Sequence, residues 1–355
     1  MIIGNTGENM GIKIRKLDKK YDVYDITVKD NHNFFGNNVL VHNCAEITLP
    51  TNEERTAVCC LSSLNLETYA EWKDSNLVKD ITTFLDNVIQ YFIDNAPDEI
   101  YKARYSATRE RSIGIGAMGF HNLLMNNSIP FESQAAAELN EEIFHYIQSE
   151  AIEQSLILGD ERGECLDMIG TGRRNANLIA IAPNANSSSI AGTSPSVEPI
   201  KANAFVHRTR AGSHLIKNKC LEKILVEKQQ NTISVWNSII SNNGSVQHLE
   251  FFTEHEKEVF KTAIEIDQNA VVRLGGQRAK YVCQSQSLNV FFPAGVDKEY
   301  LHNVHYNAWK EGNKSLYYLR TETSNKTEIL SEKIKQNTMK DYDVENQETC
   351  ISCQG

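Results

Sequence analysis

The sequence predicts an α/β fold preceded by a small all-β segment, on three observations. Residues 11–43 are rich in β-branched and aromatic residues with partial alternation, which is typical of strands. From residue 73 onward, apolar residues recur at three- and four-residue steps, which indicates helices. Short apolar runs at 177–182, 286–292 and 315–320 lie between those helices. Strands that alternate with helices favour a buried sheet.

Three helices can be placed from the pattern. The first is predicted over Leu77–Phe92. The second is predicted over Ser133–Leu158, with Gly159 ending it. A third begins at Thr253–Glu256, which has capping-box spacing, and is predicted to end at Gly275-Gly276.

The composition excludes several classes of protein. At 355 residues the chain can hold two or three domains, and its net charge of −10 argues against a protein that binds nucleic acid through its phosphates. No run of about 18 apolar residues is present, so no membrane span is expected. The N-terminus has no secretory signal. We therefore expect a cytoplasmic protein, in the host cytoplasm if the chain is viral, starting at Met1 or Met10.

The tripeptide His42-Asn43-Cys44 contains the parts of a self-cleaving junction. The side-chain amide of Asn43 can attack its own backbone carbonyl and cut the chain. His42 can transfer a proton near neutral pH, and Cys44 is a nucleophile once deprotonated. By itself this tripeptide is weak evidence for a self-cleaving junction, because it also occurs by chance in loops.

The twenty residues before the junction resemble the C-terminal splicing motifs of inteins, which have the all-β Hint fold. The resemblance lies in Val23–Val28, His32–Phe35 and Val39–Asn43, with a turn at Gly36–Asn38. The motifs of the N-terminal portion of an intein are absent. The resemblance therefore implies that residues 1–43 are a C-terminal split-intein segment, whose other half is a separate chain. A small β-hairpin domain without splicing activity is the alternative.

The resemblance also implies the splicing roles. Asp25 would tune the junction thiol, and His32 and His42 would assist cyclisation of Asn43. Cys44 would accept the upstream segment by transesterification, and an S-to-N shift would form the peptide bond.

Downstream residues suggest thiol redox chemistry. Glu46 follows Cys44 by two residues, so both side chains would lie on one side of a strand, and the carboxylate could accept a proton beside the sulfur. A Cys-x-x-Cys pair, Cys350 and Cys353, lies near the terminus, where a mobile tail suits disulfide exchange. Each feature has a plainer reading, such as core packing for Cys59 or half of a zinc site for the terminal pair. No second pair of metal ligands appears, so no metal site is predicted.

The motifs of residues 44–355, in the order in which they occur along the chain, resemble those of the large subunit of class I ribonucleotide reductases. The motifs that carry the resemblance are Cys44–Pro50, Cys59–Leu66, Arg111–Gly116, Ala182–Ser189, Val197–Pro199, Gln284–Asn289, Trp309–Arg320 and Cys350–Cys353. The resemblance implies the C-terminal half of a ten-stranded α/β barrel over residues 44–321, then a redox tail over 322–355.

The family implies a role for each matching residue. Cys44 would become the thiyl radical that takes the 3′ hydrogen of the ribose, and Glu46 would accept the 3′-hydroxyl proton. Cys59 would be one member of the redox pair that reduces the 2′ position, whereas Cys60 is interpreted as structural. Tyr317 and Tyr318 would relay the radical from the small subunit, with Tyr317 nearer Cys44.

Two further groups match the tail and the substrate loop. Cys350 and Cys353 would re-reduce the active-site disulfide and be renewed by thioredoxin or glutaredoxin. The substrate diphosphate would bind the loop formed by Pro183, Asn184, Ala185, Asn186, Ser187 and Ser188. Small polar side chains and backbone N–H groups suit an anion, although a polar turn with a Ser or Asn cap is the plainer reading.

The partner of Cys59 and the nucleotide effector sites belong to the N-terminal half of the family, so this chain is not expected to reduce ribonucleotides alone. We expect it to bind no cofactor and to receive its radical from the metal cofactor of the small subunit. Expected partners are the N-terminal half carrying its own split intein, the small subunit and a ribonucleoside diphosphate. The alternatives are a class II or III reductase fragment, against which the adjacent tyrosines argue, and a non-catalytic fragment of a split reductase.

Overall fold

The computed structural model describes residues 33–36, 39–42, 45–209 and 212–321, with the backbone alone at 33–42 and 207–213. Among these residues, no helix is both long enough and apolar enough to cross a membrane. The described chain contains short parallel ladders, two antiparallel hairpins and helices that pack around them.

The N-terminal strands form an antiparallel hairpin. Strand β1 (Asn33–Gly36) pairs with β2 (Val39–His42), with Asn33 opposite His42. The strand predicted at 39–41 is therefore confirmed. β-Branched residues and glycine punctuation within a short span favour this arrangement.

The central ladders are parallel. Strand β3 (Cys60–Asn65) pairs with β4 (Ile113–Met118). Bridges between Ile115 and Ile179, and between Ile181 and Gln286, continue the parallel arrangement. Strand β7 (Val290–Phe292) pairs in parallel with β8 (Leu319–Thr321). The predicted strand at 177–182 is thus present only as isolated bridges, and the other two predicted strands are shorter than expected.

The remaining strands form a second hairpin, β5 (Ala204–Thr209) and β6 (Gly212–Lys217), which the sequence did not predict. The helices are α1 (Tyr69–Trp72), α2 (Leu77–Asn95), α3 (Tyr101–Glu110), α4 (Phe120–Asn126), α5 (Gln134–Arg162), α6 (Ala185–Ala191), α7 (Lys219–Glu227), α8 (Ile233–Ser241), α9 (Glu254–Val259), α10 (Gln268–Ala279) and α11 (Lys298–Lys310). Short 3₁₀ turns lie at Leu66–Thr68, Asp98–Ile100 and Leu166–Met168.

Two apolar cores hold these elements together. The larger one joins β3 and β4 to α2, α5, α10 and α11, and its fully buried members include Ile113, Phe120 and Phe144. The smaller one lies beside the β5–β6 hairpin and is centred on Trp236 and Phe260. Each buried aromatic side chain removes about 150–250 Å² of surface from water. These aromatic residues therefore contribute most to the stability of the two cores.

Helix α5 corrects one sequence prediction. It runs through Gly159 to Arg162 and ends at Gly163, whose φ of 85° is a left-handed conformation suited to glycine. Gly159 is needed for a different reason, because a Cβ there would overlap the carbonyl oxygen of Gly172. A glycine can therefore mark close packing against a loop as well as a helix end.

The predicted third helix is two helices. The Thr253–Glu256 capping box begins α9 as expected, but α9 ends at Val259 and α10 begins after Asp267, which caps it through the Asn269 N–H. The polar side chains between them offer the backbone local partners that compete with a continuous helix. Helix α10 also continues through Gly275-Gly276, where added Cβ atoms would collide with Leu288 and Glu311.

Candidate active site

A buried segment of polar residues, Gln284–Asn289, runs through the centre of the site. Gln284, Ser285, Gln286, Ser287 and Asn289 are each at most 3% exposed. Buried polar groups are costly unless they are hydrogen-bonded, so such a run needs partners. This segment contacts the predicted carboxylate, the predicted redox cysteine and the backbone of the tyrosine pair.

Glu46 is fixed in the interior by this segment. Its side chain accepts a hydrogen bond from Ser287 Oγ at 2.5 Å, and its carbonyl oxygen accepts one from the Ser285 N–H at 2.9 Å. The Ala45 N–H in turn donates to Ser287 Oγ at 3.2 Å. Residues 45–50 form no strand, so the prediction that Glu46 sits on a strand is wrong. Long-range hydrogen bonds position the carboxylate instead.

Ser315 ties the same loop to the segment that precedes β8. Its Oγ donates to the carbonyl oxygen of Ala45 at 3.1 Å and lies 2.6 Å from Ser285 Oγ. The chain around Glu46 is therefore held from two sides by short hydroxyl side chains.

Cys59 lies immediately before β3, and Gln284 Nε2 donates to its Sγ at 3.2 Å. Burial raises the pKa of the Cys59 thiol to about 12, and the hydrogen bond from Gln284 opposes that rise. Nearby Cys60, Cys283 and Glu46 raise the pKa further. Glu46 and Cys59 thus share one site, in which the thiol stays protonated at neutral pH.

Glycine makes room for this sulfur. A Cβ at Gly114 in β4 would lie 3.2 Å from Cys59 Sγ and would overlap the Leu61 side chain. Cys60, by contrast, packs against the larger core and is half-buried, which agrees with the structural role predicted for it.

Tyr317 and Tyr318 lie side by side immediately before β8. Their ring centroids are 4.0 Å apart, and the rings are inclined by 48°. The Tyr317 N–H donates to the Leu288 carbonyl oxygen at 2.8 Å, and the Tyr318 N–H donates to Asn289 Oδ1 at 3.1 Å. The same polar segment therefore sets the backbone of both tyrosines.

The predicted substrate loop, Pro183–Ser188, includes the first turns of α6. Asn184 precedes this helix in a left-handed conformation with φ of 54°, and its amide bonds Ser63 Oγ at 2.9 Å. Asn184 makes no side-chain cap, so the plain capping interpretation does not hold. The side chains of residues 185–187 are exposed, and the first N–H groups of a helix lack partners within it. The backbone N–H groups of the loop can therefore donate hydrogen bonds to an anion.

The other predicted residues lie outside the described part. Asp25, His32, Asn43, Cys44, Cys350 and Cys353 fall in ranges that the structure does not describe. His42 ends β2, where only the backbone is described. No cluster of three or more His, Cys, Asp or Glu that could hold a metal ion occurs among the described residues.

Sequence reasoning missed the residues that position the site. Gln284, Ser287 and Asn289 belong to one sequence motif and Ser315 to another, but the sequence alone assigns none of them a role. The available signal was the run of amides and hydroxyls directly before the apolar strand β7. Such a pattern is unusual for a buried strand, and it indicates side chains with specific partners.

Comparison with known proteins identifies the family. Residues 21–171 and 166–319 match the model described as the ribonucleotide reductase barrel domain. The chain belongs to this family. It is 49% identical over 315 residues to the putative ribonucleoside-diphosphate reductase large subunit of Frog virus 3, covering 88% of this chain and 54% of that protein. It is also 49% identical over 317 residues to the large subunit of Invertebrate iridescent virus 6, covering 88% of this chain and 33% of that protein.

A solved structure agrees with this assignment. The class Id ribonucleotide reductase alpha subunit of Actinobacillus ureae is 40% identical, with a TM-score of 0.74, over 80% of this chain and 54% of that one. The mixed helix and strand fold of the reductase barrel domain is therefore confirmed. This chain spans about half the length, or less, of these relatives. The family match includes residues 21–43, so it does not separate the predicted intein segment from the barrel domain.

Proposed function

We propose that this chain supplies the C-terminal half of the large subunit of a class I ribonucleoside-diphosphate reductase, which reduces ribonucleoside diphosphates to deoxyribonucleoside diphosphates. The observation that carries the proposal is that one polar segment, Gln284–Asn289, contacts Glu46, Cys59 and the backbone of the tyrosine pair. Relatives that are named as large subunits of this enzyme support the same activity.

The first chemical step would use Cys44 and Glu46 together on the substrate ribose. A thiyl radical on Cys44 would remove the 3′ hydrogen of the ribose, and Glu46 would accept the 3′-hydroxyl proton. Glu46 is 3% exposed and is oriented by Ser287 Oγ, so it is held still and away from bulk water. A carboxylate that is fixed within hydrogen-bond reach of its substrate is an effective base.

Cys59 would then supply reducing equivalents at the 2′ position together with a cysteine from the N-terminal half. Its raised pKa keeps the hydrogen on sulfur, which is the form that donates hydrogen. The resulting disulfide would be reduced by Cys350 and Cys353 through thiol–disulfide exchange, and thioredoxin or glutaredoxin would renew that pair.

The radical would reach Cys44 through Tyr318 and Tyr317 from a small subunit that carries the metal cofactor. The separation of 4.0 Å between the two ring centroids supports direct transfer of the radical from one phenol to the other. The loop Pro183–Ser188 would bind the diphosphate of the substrate. The corresponding experiment is Tyr317→Phe in the joined enzyme, which should abolish CDP reduction and leave CDP binding intact. Normal turnover would exclude the class I assignment, and turnover with cobalamin but without a small subunit would indicate class II.

We further propose that residues 1–43 are removed by trans-splicing with an N-terminal partner that carries the other intein half. The His42-Asn43-Cys44 sequence and the β1–β2 hairpin before it support this step. Cys44 would act first as the splicing nucleophile and afterwards as the radical cysteine, so the active site could form only once the intein segment has left.

Splicing is tested by mixing this chain with a candidate N-terminal partner and recording intact masses. We expect loss of residues 1–43 and ligation at Cys44, and we expect Asn43→Ala to block release. Unchanged release in Asn43→Ala would refute the mechanism. If residues 1–43 stay attached while the mixture reduces CDP, the segment belongs to the reductase, and only the splicing proposal fails.

A further inference from the structure

Glu198 is a buried carboxylate for which the proposed chemistry has no use. It is 5% exposed, and its Oε2 accepts a hydrogen bond from Asn289 Nδ2 at 2.6 Å. Burial raises its pKa to about 7, so keeping this group in the interior is costly. A buried acid that no substrate needs calls for a structural or positioning explanation.

The partner of Glu198 leads directly to the tyrosine pair. While Asn289 Nδ2 donates to Glu198, the Oδ1 of the same amide accepts from the Tyr318 N–H at 3.1 Å. An amide has one donor end and one acceptor end, so fixing the donor end on Glu198 fixes the direction of the acceptor. The Tyr318 carbonyl oxygen accepts from the Val290 N–H at 3.0 Å, and this completes the attachment to β7.

We propose that Glu198 is a positioning residue for the Tyr317–Tyr318 pair and acts through Asn289, whose oriented amide holds the Tyr318 backbone where β8 begins. The importance of this arrangement for radical transfer rests on the proposed function. The hydrogen-bonded connection from Glu198 through Asn289 to Tyr318 does not depend on it. A tyrosine relay depends on the distance between its rings. A backbone that shifts at Tyr318 would alter the 4.0 Å separation from Tyr317.

Charge offers a competing explanation that must be separated from this one. Arg320 and Lys201 both interact electrostatically with Glu198, and Arg320 Cζ lies 4.7 Å from the centroid of the Tyr318 ring. If Glu198 acted by holding Arg320 over the ring, its charge would be the essential feature. If it acts through Asn289, an uncharged acceptor of the same length would suffice.

Two substitutions distinguish the explanations. Glu198→Gln keeps an acceptor oxygen in reach of Asn289 Nδ2 and removes the charge. Glu198→Asp keeps the charge but withdraws the carboxylate by one methylene. The readout is amide hydrogen exchange of the full chain, resolved at the Tyr318 N–H by fragmentation mass spectrometry. Loss of a hydrogen bond of this kind corresponds to about tenfold faster exchange.

We expect exchange at Tyr318 to be about tenfold faster in Glu198→Asp and within about twofold of the original in Glu198→Gln. The reverse order, or equal rates in the two variants, would overturn the proposal. Glu110→Asp is the matched control, because Glu110 is as deeply buried, at 3% exposed, but bonds Arg55, Ser106 and Ser112. A similar effect at Tyr318 in this control would also overturn it.

Turnover provides a second, separate readout. In the joined enzyme with its small subunit, Glu198→Asp should lower kcat with KM for the diphosphate unchanged, and Glu198→Gln should retain kcat. If the original enzyme shows no reductase activity, the proposed function fails while the exchange experiment still decides the role of Glu198. If the exchange result fails in an active enzyme, only the positioning role is lost.

Discussion

Cys59 should carry unusually little thiolate at neutral pH, and this can be measured without enzyme turnover. Its pKa rises from an ordinary 9.0 to about 12, mainly because of burial. Three pH units correspond to about a thousandfold less thiolate at neutral pH. A more basic thiolate is a better nucleophile, and for three units this offsets the loss by about twentyfold. The net reaction with a small disulfide reagent should therefore be about fiftyfold slower than in the unfolded chain.

The assay is labelling with a small pyridyl disulfide between pH 7 and pH 10, quenched and read as the mass of the Cys59 peptide. The same peptide in guanidinium-denatured chain is the reference, and circular dichroism verifies the fold at each pH. The native rate should rise about tenfold per pH unit throughout, because the thiol is still titrating. The denatured rate should level off near the ordinary pKa of 9.0.

A Gln284 substitution tests the cause. Gln284 donates to Cys59 Sγ and lowers its pKa, so Gln284→Leu should slow labelling further rather than speed it. Steric protection alone would slow labelling equally at every pH. A native profile that levels off near pH 9 would therefore refute the argument that burial raises the pKa, however slow the absolute rate.

Three other perturbations have directions fixed by the structure. Asp86→Ala should lower the free energy of unfolding in urea by about 3–5 kcal/mol, because it removes the carboxylate that pairs with the buried Arg111 guanidinium; Asp98→Ala, at an exposed position, should leave the urea midpoint unchanged. Raising the pH from about 4.5 to 7 should cost the folded state up to about 3 kcal/mol through Glu198, since its folded pKa of about 7 exceeds the ordinary 4.5, and Glu198→Gln should remove that part of the pH dependence. Gly159→Ala should destabilise the fold by about 1–3 kcal/mol, the opposite of what helix propensity predicts, because its Cβ would overlap Gly172; a higher melting temperature would contradict this contact.

Local patterns in the sequence predicted the elements whose cause is local. The apolar repeat from Leu77 gave α2, and the Thr253 capping box gave the start of α9, because both depend on neighbours within a few residues. The prediction that Gly159 ends α5 is wrong because a glycine is required there by the contact with Gly172, which the sequence does not show. The break between α9 and α10 was missed because capping by Asp267 competes with an apolar repeat that continues through it.

The candidate site shows the same difference between features with local causes and features that depend on distant parts of the chain. Glu46 and Cys59 could be identified from motif order, and the structure brings them together. What holds them was not predictable in the same way, because Ser287 reaches Glu46 across 241 positions of sequence and Gln284 reaches Cys59 across 225. Residue types suggest a capacity for hydrogen bonding, but only the fold determines the partner.

The alternation of the polar segment explains how one stretch can serve several groups. Gln284 bonds Cys59 and lies before the alternating part. From Ser285 to Asn289 the odd positions face the candidate site, since Ser285, Ser287 and Asn289 reach Ser315, Glu46 and Tyr318. Gln286 instead bonds Arg278 and Gly275 of α10, and Leu288 packs in the larger core, so these even positions face the covering helix. Successive side chains of an extended chain point to opposite sides, and a shift of one residue exchanges the two faces. Such a shift would place Leu288 against the site and the short polar side chains against α10. The identity of these residues is therefore set by both faces at once, which accounts for a run of buried polar residues that neither the core nor the chemistry alone would require.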